Sequence, residues 1–449
     1  MSTIEKHDMT QGKILLPLVS FTIPLVLGNL FQLTYNAADS VIVGKYVGEQ
    51  ALAAVGTSTP IMNIAILLIS GMCMGASVLM SSQYGAKDYD TLSRQISTTM
   101  LAGCGFSVVF SLLMLLLANP VLRLIRVPET AIPEAAAYLR IIFMGLIFTF
   151  MYNFLANTMR ALGDSKTPLY FLVTSAFLNI FGDLFFVVVL RWGVAGSAIA
   201  TVCSEGLCCL LCGIYIKKKI PLLCLGKKWW VFDKSLLGKT VSYGSTSAMQ
   251  QVCLQLGKLI IQSVVNTQGV AVMAAFTAVN RVDDFAYTPQ QNIGHAMTTF
   301  LAQNKGAGHK ERMKKGFQTG LFIELVYSIG LFAVIWGLAP QIMTLFAEDG
   351  DAQVVSLGIS YLHLISWMYI LPGMTNGIQG FFRGIGDLKV TLYSTFMNML
   401  GRVVAVFVII RLLQMDFANL AWTNMIGWIV MMLFEIPLLV KSLRSGECG

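Results

Sequence analysis

What most constrains this chain is a succession of apolar stretches about twenty residues long, separated by short polar breaks along almost its whole length. A helix rises about 1.5 Å per residue and the hydrocarbon core of a bilayer is about 30 Å thick, so each stretch has the length of one crossing. Within hydrocarbon the backbone must satisfy its own hydrogen bonds, which such segments do as helices. Twelve runs can be laid out, the first over 14–43, the seventh over 235–265, the eighth over 269–302 and the last over 416–440. With 56% hydrophobic and only 12% charged residues, a soluble globule of this size is excluded. The fold class read from the sequence is therefore an all-α polytopic membrane protein with twelve transmembrane helices.

The net charge of +8 could point to nucleic acid, but its distribution points to a bilayer. Of the 31 Lys and Arg, 22 fall before the first run, in alternate loops and after the last, and 5 fall on the other side. This asymmetry follows the positive-inside rule: a multi-pass protein of the cell (inner or plasma) membrane, both termini cytoplasmic, no nucleic-acid partner. The longest and most basic connection begins at Lys217 and divides six runs from six. It separates an N-terminal lobe over 1–218 from a C-terminal lobe over 235–449, with a cytoplasmic linker over 219–234.

The two lobes repeat. Arg160–Tyr170 reads RALGDSKTPLY and Arg383–Tyr393 reads RGIGDLKVTLY, with Arg, Gly, Asp, Lys, Leu and Tyr in register at an offset of 223. SSQYGAKD at Ser81 returns more faintly as LAQNKGAGHK at Leu301. Six spans is an even number, so both lobes enter the membrane in the same sense and a pseudo-two-fold along the membrane normal relates them. Binding sites in such folds are expected between the lobes.

The first run carries the sharpest chemistry. Pro24 removes a backbone donor inside the helix and marks a hinge. Asn29, Gln32, Asn36 and Asp39 follow at steps of three, four and three, on one helical face. A carboxylate at membrane depth needs a proton, a cation or a partner, so Asp39 is a candidate site residue. On the fifth run Asn179 and Asp183 share a face, and on the sixth Thr201 and Glu205 do. If these faces converge on Asp39, the oxygens suit a hard monovalent cation or a shared proton. Asn153 and Asn157 on the fourth run line a substrate cavity or serve as interhelical glue.

The second lobe departs from this pattern. Gly244 falls where Pro24 would and Leu259 where Asp39 would, while Gln251, Gln255, Lys258 and Gln262 form a polar stripe assigned to the substrate cavity. Arg281 with Asp283 and Asp284 reads as a buried ion pair that fixes packing. Glu324 and Glu435 read as paired or interfacial acids. The four histidines have no metal spacing, and Cys209–Cys212 reads as packing, so no metal beyond Na+ is expected. No Walker A loop is present: Asp233 stands where the first glycine before Gly238–Thr240 would be.

Two six-span lobes, a proline fifteen residues before an aspartate (Pro24, Asp39), Asn-x-x-x-Asp at Asn179 and Asp183, the repeated RxxGDxK loops and QYGAKD resemble the multidrug and toxic compound extrusion (MATE) transporters of prokaryotes. The resemblance implies a sodium or proton site at Asp39, Asn179, Asp183 and Thr201. Second-lobe acids on the seventh and tenth spans, used by some members, are missing here, and Lys258 is a further departure. The function read from all this is a secondary antiporter that exports organic solutes or drugs against inward Na+ or H+. It would be a monomer without enzymatic activity or other cofactor; the alternative is a lipid or glycolipid flippase of similar two-lobe architecture.

Overall fold

The computed structural model describes residues 8–125, 127–220, 230–346, 352–409 and 416–444; the side chains of 36–38, 40, 49, 50, 52, 53 and 346 are outside that description. Within it the elements are helical throughout: α1 (Leu15–Tyr46), α2 (Glu49–Gly85), α3 (Tyr89–Leu124), α4 (Ile132–Met144), α5 (Leu146–Ala161), α6 (Lys166–Asp183) and α7 (Gly193–Lys219) in the first half. The second half has α8 (Lys234–Val265), α9 (Val270–Gly306), α10 (Lys310–Phe346), α11 (Ala352–Ser366), α12 (Ile370–Ile385), α13 (Leu388–Phe407) and α14 (Ala421–Arg444). Among the described residues nine helices are long and apolar enough to cross a membrane, or ten when α4 and α5, bent by 46°, count as one span. The seventh and eighth spans are α8 and α9, of 32 and 37 residues, whose length suffices but whose glutamines and charges lower the hydropathy. On α3, Val109, Leu112 and Leu116 stay bare, the surface a lipid chain covers.

Contacts divide the chain into two compact units, one chiefly Ile23–Ala248, the other Met9–Thr22 with Met249–Gly449. The sequence draws its division at 219–234, of which 221–229 lies outside the described residues. The borders between the contact units run through helices: α1 changes unit just before Pro24, and α8 between Ala248 and Met249. Hydrogen bonds tie down the short pieces. In the second unit the Arg312 guanidinium donates to the carbonyls of Met9 (3.0 Å), Gln11 (2.8 Å) and Gly12 (2.7 Å), ahead of α1. In the first, Ser97 and Thr98 of α3 accept from the Val231 and Asp233 amides, each at 3.0 Å, and Arg94 pairs with Asp233. Asp233 then caps α8 by accepting from the Ser235 and Leu236 amides. Those amides and the Arg94 charge hold its carboxyl below the usual carboxylate range.

Small residues let this part of α8 lie against α2. A Cβ on Gly75 would stand 2.4 Å from the Tyr243 carbonyl oxygen, and one on Gly71 would stand 2.6 Å from Ala248 Cα. The pair Gly71 and Gly75 is thus a small-xxx-small contact that permits backbone-to-backbone packing.

The repeated loop motifs are helix stops. After α5, Gly163 (φ 88°) is left-handed, its amide donates to Arg160 O and that of Asp164 to Met159 O. After α12, Gly386 (φ 86°) repeats this with Arg383 O and Phe382 O. Each is the Schellman arrangement, which answers the last carbonyls of the helix and needs a residue free to adopt positive φ. Asp164 additionally accepts from the Lys166 and Thr167 amides and starts α6. Cys212 lies in the first unit's apolar core with Cys209 partly buried against it, a packing role.

Candidate cation site

The first unit brings α1, α6 and α7 together around Asp39 and Asp183. Glycines make the approach: a Cβ on Gly182 would meet Ala200 Cβ at 2.9 Å, and one on Gly196 would meet the Phe186 carbonyl at 3.1 Å. Immediately after Asp183 the helix widens into a π turn over Leu184–Val189. Such turns are rare and displace the following side chains, a recurrent feature of functional sites. Asp183 is wholly buried and Asn179, one turn earlier, is 3% exposed.

The polar contacts form a chain. Ser197 Oγ donates to Asp39 Oδ1 at 2.6 Å, and Thr201 Oγ1, one turn along α7, donates to Ser197 O at 3.1 Å. Asn179 Nδ2 donates to Thr201 Oγ1 at 3.2 Å, which leaves Asn179 Oδ1 without a partner among the described residues. The Asp39 and Asp183 carboxyls lie within hydrogen-bonding reach of each other. Among the described residues neither Asp183 oxygen has a donor, and the ion pairs include neither acid. Two adjacent carboxyls in low dielectric cannot both stay charged unaided. The acceptors are two carboxyls, an amide oxygen and two hydroxyls, a set for a proton or a hard monovalent ion. Among the described residues no cluster of three His, Cys, Asp or Glu exists to hold a heavier metal.

The structure thus groups Asp39, Asn179, Asp183 and Thr201 in one place. Ser197 was missed by sequence reasoning, although it stands one helical turn before Thr201 and so shares its face. The π turn has no signal in the sequence. Glu205 is set apart, held by Thr149 Oγ1 at 2.5 Å. Pro24 lies within an unbroken α1. Asn29 is half-buried and Gln32 exposed, beside Tyr35, while the side chain of Asn36 is outside the described residues. Asn153 and Asn157 spend their amide donors on the carbonyls of Thr149 and Asn153, each at 2.9 Å, within their own helix.

In the second unit one sequence reading needs correction and one gains a partner. Lys258 of the polar stripe pairs with Asp284 at 3.3 Å, both about half exposed, because successive helices α8 and α9 bring their polar faces together. The expected pairing of Arg281 with Asp283 does not form. Arg281 points to the exposed side, and buried Asp283 accepts from the Tyr369 hydroxyl at 2.5 Å with Arg402 nearby. Residues 281 and 283 are two apart on a helix and so diverge in direction. Gln251 and Gln255 are half-buried, and Gln262 donates to Asn266 at 2.7 Å. The larger polar network, unread from sequence, joins Gln250, Gln379, Thr391 and Thr395.

A helical membrane scaffold that repeats, with a membrane-buried pair of acids inside its first unit, defines a membrane transporter of the two-repeat class. The sequence model of the MatE family matches residues 24–185 and again 247–408, two copies with the offset of 223 seen in the loops. The chain belongs to the MatE family, that of the MATE transporters. It is 32% identical over 388 residues to the probable multidrug resistance protein YpnP of Bacillus subtilis, covering 86% of each chain. Against the probable multidrug resistance protein YoeA of the same organism it is 30% identical over 386 residues, 84% of this chain and 82% of the relative. Among solved structures, an outward-facing multidrug resistance MATE transporter superposes with a TM-score of 0.92 over 99% of both chains at 22% identity, a likeness of fold.

Proposed function

We propose that the chain is a secondary antiporter of the cell membrane that exports organic solutes or drugs in exchange for inward Na+ or H+. Its coupling site is Asp39 and Asp183 with Asn179, Ser197 and Thr201. The observation that carries this reading is the pair of neighbouring acids with no cationic side chain bonded to either among the described residues. Such a pair must take up a cation or proton to be stable and must release it when exposed to the other side. One charge moving through 100 mV supplies about 2.3 kcal/mol, enough for a roughly fifty-fold gradient of a neutral solute. Small solutes would be met by polar residues of each unit by itself, Asn29 and Gln32 in the first and Gln251 and Gln255 in the second. Pro24, beside the border where α1 changes unit, would be the hinge, and both termini would face the cytoplasm.

The test is efflux of a cationic dye from proteoliposomes with sodium and proton gradients imposed separately. Wild type should export under at least one gradient, and Asp39→Asn, an isosteric amide unable to carry the charge, should lose at least tenfold. Pro24→Ala should keep dye binding and lower turnover. Gradient-driven export by Asp39→Asn at the wild-type rate would remove this site from the mechanism.

A further inference from the structure

The buried acids of the second unit are of two kinds. Asp283 has the Tyr369 hydroxyl and nearby Arg402, and Glu435, whose oxygens also lack a hydrogen-bond partner among the described residues, has Arg383 as a neighbouring cation. Glu324 has neither kind of help. It sits within α10, wholly buried, and neither carboxyl oxygen has a hydrogen-bond partner among the described residues.

Its surroundings are nonetheless polar. A Cβ on Gly373 of α12 would stand 2.8 Å from Ser328 Oγ, 3.2 Å from Gln290 Nε2 and 3.4 Å from Glu324 Oε2. Three polar side chains from α9 and α10 therefore face one point at which α12 offers only hydrogen. The Gln290 amide is oriented by donating to Tyr369 O at 2.8 Å and to Ser328 Oγ at 3.0 Å, and Ser328 Oγ donates to Glu324 O at 2.7 Å. That orientation leaves Gln290 Oε1 unpartnered in a fully buried residue, like both oxygens of Glu324. Tyr327, on the next turn of α10, gives its hydroxyl to Ala286 O, and Tyr369 gives its own to Asp283. His363 of α11 stacks on Trp336, three turns further along α10. Neither tyrosine hydroxyl is therefore given to the carboxylate, and the described ion pairs do not include it.

A buried carboxylate whose two oxygens have no donor among the described residues is stable only with positive charge on or beside it. We propose that Glu324, flanked by Ser328 Oγ and by Gln290 with its unpartnered Oε1, is a second monovalent-cation site, inside the second unit, which holds a proton or a sodium ion. It is distinct from the seventh- and tenth-span acids that this chain lacks, and it stands whether or not Asp39 and Asp183 couple transport.

The test uses the purified full chain in detergent with both first-unit acids neutralised, Asp39→Asn with Asp183→Asn, so that failure of that site cannot mimic failure of this one. Infrared difference spectra are recorded over a pH series without sodium and over a sodium series at fixed pH. A carboxylic C=O band that disappears when Glu324→Gln is added assigns a proton; a sodium-dependent carboxylate band lost in the same way assigns sodium. If Glu324→Gln does not fold, Gly373→Ala keeps the acid and fills the space, and it should shift the midpoint of the bound signal at least tenfold. Spectra unchanged by Glu324→Gln, or a midpoint unmoved by Gly373→Ala, would overturn the proposal.

Discussion

The two halves share a scaffold down to the hydrogen bonds of their helix stops, yet treat acids in opposite ways. In the first unit Asp39 and Asp183 lie side by side, Ser197 donates to Asp39, and among the described residues no ion pair includes either acid. In the second, Lys258 answers Asp284, and Arg402 lies near Asp283. The same helix repeat thus holds a charge-poised cluster on one side and largely neutralised acids on the other. Architecture is set by glycines and turns, and chemistry by single substitutions on faces the architecture leaves alone.

The comparison is tested most severely by removing one acid from each half. Asp183→Asn should lower ion-driven dye efflux at least tenfold in proteoliposomes while the melting temperature in detergent stays near wild type. Asp283→Asn should do the reverse, losing about 1–3 kcal/mol of stability because the Tyr369 and Arg402 contacts weaken, with turnover per folded molecule retained. Equal transport defects in both would erase the distinction.

A subtler asymmetry lies in the turns after α2 and α9. The amides of Asp88 and His309 reach back to Gln83 O and Asn304 O in matching fashion, but the left-handed residue is Lys87 (φ 57°) in one and Gly308 (φ 73°) in the other. A side chain there costs about 1 kcal/mol. Lys87→Gly should therefore stabilise the protein by roughly that amount and Gly308→Ala destabilise it, as read by thermal unfolding in detergent. Destabilisation by Lys87→Gly, or stabilisation by Gly308→Ala, would show that the two turns are not equivalent.

The smallest effect concerns the clamp at the start of α8. Because the Asp233 carboxyl is held below its ordinary value of about 3.9, its stabilisation is complete above that pH and fades as pH falls through the depressed value. Melting temperature should decline on acidification below about pH 4, and Asp233→Asn should make that decline shallower.

Local rules wrote much of this protein into its sequence. Apolar run lengths dictated helices that cross a bilayer, because backbone groups in hydrocarbon have no other partners. The recurrence of RxxGDxK told of two equivalent lobes, because a left-handed glycine followed by a cap is a local necessity wherever a helix must stop. Spacing of three and four put Asn179 over Asp183 on one face. What spacing cannot specify is which face meets which. The union of Asp39 with Asp183 and Ser197, the pairing of Lys258 with Asp284, and the isolation of Glu324 opposite Gly373 join residues dozens to more than a hundred positions apart. Only the packing of helices at small residues such as Gly182 and Gly196 decided those neighbours, since contact there depends on interhelical distance and rotation rather than on order along the chain.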